Sequence, residues 1–444
     1  MTGWKTLSAH DSIHIACTHY NGMSAFWQAK VLVGHGFLPI VQFLPGDCIL
    51  YTVFRNTVSG KGFLMSQSNI IVVGGGIAGS MTALHLQRRG AQVTLIDRWE
   101  PGHSRAASSD YNRVIRAISG RDEFYTRWAR DSRSRWLELM AETGQNLMYE
   151  CGALILATAG HCDWEDSTSE TFDKVGVPYY RFTPDEVRSR FPQFKVDEIS
   201  YALFEPEAGL LMAHRCVITT VDVFKREGGV VKRGTVTTDQ NERPMLDGQP
   251  LEADVIVIAT GAWMSEMFPR TIKPISAIMG INVLYTSTPD GSDQFDMENM
   301  PCWIDHGQGS FGIPSSEGSG VKAAVVIPNT PIDINNDERL IEKQSLNKTR
   351  QYIRHRLPGL VGERVVDSKF NQVILTPDTH FIVDWHPEHS NVLLAGGCSG
   401  HLFKHGPMFG GFAAGVAVRD YGTADRFKIA GRRKLSPKES PSGR

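Results

Sequence analysis

Residues 69–79 read Asn-Ile-Ile-Val-Val-Gly-Gly-Gly-Ile-Ala-Gly. The β-branched residues 70–73 make a short apolar run suited to a strand buried on both faces of a parallel sheet. Gly74, Gly76 and Gly79 follow at the spacing G-x-G-x-x-G, and a helical pattern continues through Met81, Leu84 and Leu86 to Arg89. The first glycine permits a tight turn, the second lets a pyrophosphate approach the backbone, and the third brings helix close to strand. Free N–H groups at the helix start then face phosphate charge. A second strand, residues 92–96, ends at Asp97, 23 residues beyond Gly74, where a carboxylate can accept from a ribose hydroxyl. Glycines alone are a weak signal. Strand, glycines, helix, strand and acid in register predict an adenine dinucleotide site in an α/β fold.

Working outward, the 444 residues suffice for two domains with sizeable cores. A hydrophobic content of 41% and a charged content of 21% suit a soluble globular chain. A formal net charge of −2 gives no case for nucleic acid or an anionic membrane surface. The cysteines, Cys17, Cys48, Cys151, Cys162, Cys216, Cys302 and Cys398, are odd in number and form no C-x-x-C pair. They read as reduced thiols of an intracellular protein, with no disulfide framework and no metal site.

Residues 1–64 show no sustained helix or strand period. Their most apolar part, 37–54, is broken by Pro39, Pro45 and Asp47, and a membrane span needs about 20 largely uninterrupted apolar residues. The order of a secretory signal is also missing. Met65 is the expected natural start, with residues 1–64 a disordered arm or a gene-model artefact.

Beyond Gly120, residues 121–143 read as a long helix, 152–156 as a strand, 184–191 as a short capped helix, 213–225 as a helix and 229–231 as the opening of a strand. Residues 253–263, Ala-Asp-Val-Ile-Val-Ile-Ala-Thr-Gly-Ala-Trp, are a buried strand entering a small-residue turn of the kind that approaches a ligand closely. Strand-like runs fill 275–328, residues 337–356 read as helical, and strands at 380–384 and 391–397 feed a glycine-rich helix start at Gly410 and Gly411. Cofactor-type elements thus return late in the chain. That interleaving suits an extended cofactor such as FAD threaded through a discontinuous domain. The expected division is an FAD-binding domain of 65–150, 205–270 and 380–425, a substrate domain of 151–204 and 271–379, and a disordered basic tail of 426–444.

With these elements placed, the chain resembles the FAD-dependent amine oxidase family of monomeric sarcosine oxidase and the fungal fructosyl amino acid oxidases. The resemblance spans about residues 68–420. It rests on the glycine motif, "NRVIR" at 112–116, "FEPEAGLLMAHRC" at 204–216, "VIATGAW" at 257–263 and the long run "HFIVDWHPEHSNVLLAGGCSGHLFKHGP" at 380–407. It implies a glutathione-reductase-like FAD domain and a mixed β-sheet substrate domain. The implied chemistry is oxidation of a C–N bond: hydride passes to flavin N5, the imine hydrolyses, and dioxygen reoxidises the flavin to give hydrogen peroxide.

The resemblance also assigns residues. Gly74, Gly76, Ile77, Ala78, Gly79, Asp97, Arg98, Ser109, Arg113, Val236, Gly261, Gly400, Phe403 and Lys404 are implied to contact FAD. Arg113 and Arg116 stand three apart, so on a helical turn both would point one way. The implied roles are flavin contact for Arg113 and grip on the substrate carboxylate for Arg116, the latter shared with Lys404. Lys322 is implied to lie over the flavin and promote reaction with dioxygen, a fixed cation favouring the anion that forms. His401 and His405 flank Lys404 and read as structural, a proton carrier near neutral pH being the alternative, and Asp384 as a loop anchor.

Departures from the family pattern sharpen the expectation. The flavin-linking cysteine expected ten residues before Phe381 is replaced by Asn371, in "KFNQVILTPDTHF". An amide cannot form the thioether, so dissociable FAD is expected. Phe311 and Val326 stand where the sarcosine-type pocket has a tyrosine and a histidine, which predicts a more apolar pocket and a bulkier substrate. Candidates are an N-methyl amino acid, a cyclic imino acid such as pipecolate, or a saccharopine-like or sugar-linked amino acid. A dehydrogenase serving another electron acceptor, or a non-catalytic flavin-binding paralogue, is the alternative. The sequence ends Pro-Ser-Gly-Arg at 441–444, with no peroxisomal tripeptide, so a cytosolic location is expected, with a peroxisomal one the alternative if this end is mis-assigned; a monomeric state is what the resemblance implies.

Overall fold

The structure, a computed structural model, describes residues 68–327, 332–335 and 341–435, together with four short strands nearer the start. The chain divides into two compact units, Met1–Phe63 and Leu64–Arg444. In the first, His14–Cys17 pairs antiparallel with Trp27–Val33, which also pairs with Gly36–Phe37 and Val41–Phe43. Strand pairing thus occurs where no strand period was expected. The remaining residues of 1–64 lie outside the described residues.

The second unit is built on two large sheets. One has six strands in the order Val230–Arg233, Gln92–Asp97, Asn69–Val73, Val255–Ile258, Val392–Gly396 and Ile382–Trp385. All pairs are parallel except the last, which is antiparallel. Residues 70–73 sit at its centre with neighbours on both sides, which is why the run is apolar without alternation: Ile70 and Val72 are fully buried. The helix Ile77–Arg88 covers one face and packs on Gly406–Ala417 and Ala213–Arg226. At Gly79 an added Cβ would lie 1.9 Å from the Gly74 carbonyl, and Gly74 itself has φ +108°. Neither position admits a side chain, and the strand–turn–helix junction depends on that.

The other sheet has eight strands in the order Tyr180–Phe182, Ile199–Glu205, Ala153–Thr158, Cys302–Asp305, Ser310–Ile313, Val321–Val325, Ala277–Thr286 and Val365–Leu375. It is mixed: Cys302–Asp305 runs parallel to Ala153–Thr158 and the other pairs are antiparallel. A three-stranded sheet of Asn112–Ile115, Gly209–Met212 and Met148–Tyr149 completes the scaffold beside it.

Helix ends follow local chemistry. Glu123–Thr143 starts where the Asp122 side chain accepts from the Tyr125 N–H and stops at Gly144, φ +67°. Pro184–Arg190 starts with a complete capping box of Thr183 and Glu186. The helix expected over 337–356 is seen as Lys343–Arg356, and residues 336–340 lie outside the described residues. The tail expected to be disordered from 426 is ordered to 435. Phe427 is fully buried, and Arg432 donates to the carbonyls of His380 and Phe381 and to Asp378. Residues 436–444 lie outside the described residues. Among the described residues no helix is long and apolar enough to cross a membrane, and none of their His, Cys, Asp and Glu side chains cluster as a metal site.

Candidate active site

A cavity of about 830 Å³ runs from the glycine turn to the eight-stranded sheet. That is toward the upper end of the roughly 300–1,000 Å³ typical of small-molecule sites. It has three parts.

The first is the dinucleotide cradle: Gly74, Gly76, Ile77, Ala78, Asp97, Arg98, Val236 and Gly261 all line it. A Cβ at Gly76 would meet only the Ser108 Oγ, at 3.4 Å, so this glycine leaves its face open to the cavity. The Ile77 N–H donates to Ser108 Oγ at 3.2 Å. Asp97 accepts from the N–H groups of Gly75, 2.5 Å, and Trp99, 2.9 Å, which aim its carboxylate from the strand end. The rim is aromatic: Trp99 stacks on His103 at 4.9 Å and tilts against Trp263 at 5.5 Å. An open glycine face, a helix start and a strand-end carboxylate fit the ADP half of FAD. Ser109 does not line the cavity. Its hydroxyl turns back to the carbonyls of Ser104 and Ala106, and the neighbouring Ser108 lines the cavity instead. Gly79 also lies off the cavity and acts through close packing.

The second part is a buried polar hub. Lys322, on Val321–Val325, is 1% exposed and donates to Asp110 Oδ2 at 2.7 Å and to the Asn112 carbonyl at 2.9 Å. Arg113 also binds Asp110 Oδ2, and donates to Asn371 Oδ1 at 3.1 Å and to the Ala107 carbonyl at 2.7 Å. Asn371 Nδ2 donates back to Asp110 Oδ2 at 3.0 Å, and the Tyr285 hydroxyl to Oδ1 at 2.5 Å. One carboxylate therefore organises two cations, an amide and a phenol. Burial pushes the Asp110 carboxyl up, but Lys322 and Arg113 outweigh it and hold it well below the usual range. Burial, opposed by Asp110, draws Lys322 down to about 8. Asp110 and Tyr285 escaped the sequence reading. The only sequence signal was an acid two residues before "NRVIR".

The third part lies around Arg116 and Lys404. Arg113 and Arg116 do not share a helical turn. Arg113 lies on the strand Asn112–Ile115 and Arg116 follows it. Residues three apart on extended backbone face opposite ways, so one arginine joins the hub and the other this far pocket. Arg116 packs against Trp164, 5.9 Å from its ring centroid, and donates to the Ile118 carbonyl. Lys404 Nζ donates to the Arg116 carbonyl at 2.9 Å, and its own carbonyl accepts from Trp136 Nε1 at 3.1 Å, which ties it to Glu123–Thr143. Burial lowers Arg116 to about 10, and burial together with Arg116 takes Lys404 well below its ordinary value. Phe311, Val326, Ile281 and Ile304 line the walls, with Trp164 stacked on His306 at 4.8 Å. Trp164 and His306 were not foreseen. Gly400 and Phe403 also line the cavity. His405 is fully buried away from it.

Comparison with known proteins agrees with this geometry. The chain is 27% identical over 350 residues to monomeric sarcosine oxidase of Bacillus sp. (strain B-0618), covering 76% of this chain and 88% of that one. It is 24% identical over 357 residues to N-methyl-L-tryptophan oxidase of Yersinia pestis (strain Pestoides F), covering 78% and 94%. Among solved structures, the modified fructosyl peptide oxidase from Aspergillus nidulans superimposes with a TM-score of 0.73 at 20% identity over 85% of this chain and 98% of that one. L-Proline dehydrogenase from P. horikoshii gives 0.70 at 20% identity over 80% and 94%. Both share the fold. The profile of the FAD dependent oxidoreductase family matches residues 69–415, from the first strand of the cradle through the helix behind Lys404, and the chain belongs to that family of FAD-dependent oxidoreductases.

Proposed function

We propose that the protein oxidises the C–N bond of a secondary amine, specifically an N-substituted amino acid carrying one carboxylate. The observation that carries this reading is the placement of two desolvated cations, Arg116 and Lys404, in one cavity with the dinucleotide cradle and Lys322. FAD, when bound, supplies a hydride acceptor at N5 and a two-electron route to dioxygen that yields hydrogen peroxide. The chain's residues supply the rest. The planar fork of Arg116 takes a carboxylate by parallel bonds and Lys404 adds a point charge. Held at that end, the substrate presents its amine-bearing carbon in a fixed orientation. Lys322 and Arg113 supply positive charge where dioxygen becomes an anion, and Asp110 fixes the position of Lys322 Nζ.

The relatives act, by their names, on sarcosine and N-methyl-L-tryptophan, both N-substituted amino acids. Phe311 and Val326 in the wall favour a bulkier, less polar substrate than sarcosine. The candidates are an N-methyl amino acid with a large side chain, a cyclic imino acid, or a saccharopine-like or sugar-linked amino acid, in specialised metabolism or otherwise. Non-covalent FAD, a monomeric state and a cytosolic location belong to the same reading. A panel of such compounds tests it. Under anaerobic conditions at least one is expected to bleach the flavin, and in air to release peroxide. A flavin that no amine bleaches would leave a non-catalytic flavoprotein. Bleaching without peroxide would leave a dehydrogenase with another acceptor.

A further inference from the structure

Where the three-stranded and eight-stranded sheets adjoin, two thiols face each other away from the cavity lining. Cys151 Sγ lies 3.8 Å from Cys302 Sγ, and the two residues are 151 positions apart in the chain. Cys151 sits in the link between Met148–Tyr149 of the small sheet and Ala153–Thr158 of the large one. Cys302 opens the strand Cys302–Asp305, in parallel register with Ala153. The Cys302 N–H donates to the Gly152 carbonyl at 3.1 Å, so the two backbones are bonded to each other beside the sulfurs. Gly152, with φ +76°, bends the chain between Cys151 and that strand. Cys302 Sγ also lies 3.4 Å from the Gly209 carbonyl, on the strand Gly209–Met212 of the small sheet.

The pair is asymmetric. Cys151 is half-buried, whereas Cys302 is fully buried. The thiol that reacts with a dissolved oxidant is the one solvent can reach, and a second sulfur in contact then captures the product. The shared hydrogen bond lowers the Cys151 thiol below its ordinary value, and burial raises Cys302 well above its own. The other thiols of the second unit turn to backbone carbonyls: Cys162 to Thr158 at 3.2 Å, Cys216 to Leu147 at 3.5 Å and Cys398 to Ile374 at 3.6 Å. A disulfide forms with its sulfurs about 2.05 Å apart. Side-chain rotation and a slight shift of the half-buried link close that gap.

We propose that Cys151 and Cys302 are a peroxide-oxidised pair, in which Cys151 reacts first and Cys302 resolves it to a disulfide that ties the two sheets together. Cys151 sulfur, as thiolate, attacks the O–O bond of hydrogen peroxide. One oxygen stays on sulfur as the sulfenic acid, and the other leaves as hydroxide and becomes water. Cys302 sulfur then attacks Cys151 sulfur, gives up its own proton and displaces a second water. Two electrons leave the two thiols, and one peroxide becomes two waters. The oxidase reaction proposed above is one source of that peroxide. The pair itself rests on its geometry and responds equally to peroxide from elsewhere.

The test needs no substrate, so its failure is separate from failure of the oxidase reading. The full-length, FAD-loaded protein is reduced, freed of reductant, treated with hydrogen peroxide, and alkylated after unfolding. Non-reducing peptide mapping is expected to show the peptides of Cys151 and Cys302 joined, with both thiols lost to alkylation and recovered on adding dithiothreitol. A cross-link spanning so long a loop constrains the unfolded chain, so Tm is expected to rise by several degrees on oxidation and to fall back on reduction. C302S removes the resolving sulfur: a sulfenic acid at Cys151, trapped by dimedone, is expected in place of the disulfide, and the rise in Tm is expected to vanish. C151S is expected to leave the buried Cys302 unmodified. Both thiols still open to alkylation in the treated wild type, or Cys151 carried to the sulfinic acid with no joined peptide, overturns the proposal even where neither variant folds. Oxidation of Cys302 in C151S at the wild-type rate overturns the order of the two steps.

Discussion

At the scale of single residues, the site turns on how three buried charges share one place. Lys322, Arg113 and Asp110 form a cluster of net charge +1 whose only anion is bonded to both cations. Burial has already lowered Lys322 to about 8, so its charge is lost as pH rises through that value. Flavin reoxidation by dioxygen, followed by stopped flow, is expected to slow across that range. Lys322→Met is expected to slow it by about 100-fold or more, abolish the pH dependence, and affect reduction by substrate far less. Reoxidation at the wild-type rate in this variant would remove the role. Asp110→Asn leaves two adjoining buried cations without their anion, which costs about 3–5 kcal/mol, read as a lowered unfolding midpoint in urea. The Asp110 carboxyl is held below its ordinary value, so its stabilising contribution is present at neutral pH and lost as pH falls into the acid range. The two cations were legible in the sequence because the family resemblance assigns them. Their anion was not: Asp110 meets Lys322 across 212 residues and Asn371 across 261, through sheet pairings that no local period encodes.

At the scale of elements, strong local chemistry was legible and weak local chemistry was not. The strand of residues 70–73 and the capped helix Pro184–Arg190 carry patterns that local rules read directly. Arg113 and Arg116 show the opposite case, because a spacing of three fits either a helical turn or a strand, and only the partner Gly209–Met212 decides for the strand. The helix Asp163–Val175 was missed altogether. Its sequence, DWEDSTSETFDKV, is rich in Ser, Thr and Asp, which are poor helix formers, and it buries few large apolar side chains. Tertiary contact fixes it: Trp164 reaches the cavity and Glu165 points into the core. Both Glu165 carboxylate oxygens are buried without a hydrogen-bond partner among the described residues. Burial, with Asp166, Asp305 and Asp163 nearby, pushes the group up to about 7. Its folded value lies above its unfolded one, so the folded state binds the proton more tightly, and stability falls as pH rises from the unfolded value toward about 7. Glu165→Gln imitates the protonated form. It is expected to flatten the fall in Tm between about pH 5 and 8, and to gain on the order of 1–3 kcal/mol at the alkaline end, the cost of leaving such a group buried and unmatched. Parallel Tm–pH curves for variant and wild type would show that this carboxylate carries no such burden.

At the scale of the whole molecule, the cavity joins two sheets that the sequence alternates between. The cradle takes its strands from residues 69–97, 230–233, 255–258 and 382–396, and the opposing sheet fills the intervals. The small-residue turn within 253–263 and the glycine-rich helix start at Gly410 and Gly411 signalled that alternation, while the strand order of the eight-stranded sheet had no local signal. Much of the interior is therefore lined for a ligand, and ligand binding feeds into stability. Asn371 stands in the wall of that cavity, bonded to Arg113 and Asp110, and its amide has no means of forming a thioether. Cys398 also lines the cavity, but burial raises its thiol above the ordinary value, away from the reactive thiolate. FAD is thus expected to bind reversibly. Acid precipitation should leave the yellow colour in the supernatant. Reconstituted apoprotein should gain stability with free FAD as mass action requires, about 2.7 kcal/mol at a hundredfold excess over Kd, which raises Tm by on the order of 3–5 °C. Colour retained in the pellet, together with a Tm indifferent to added FAD, would mean the flavin is attached through a side chain other than residue 371, and Cys398→Ser would be the variant to locate it.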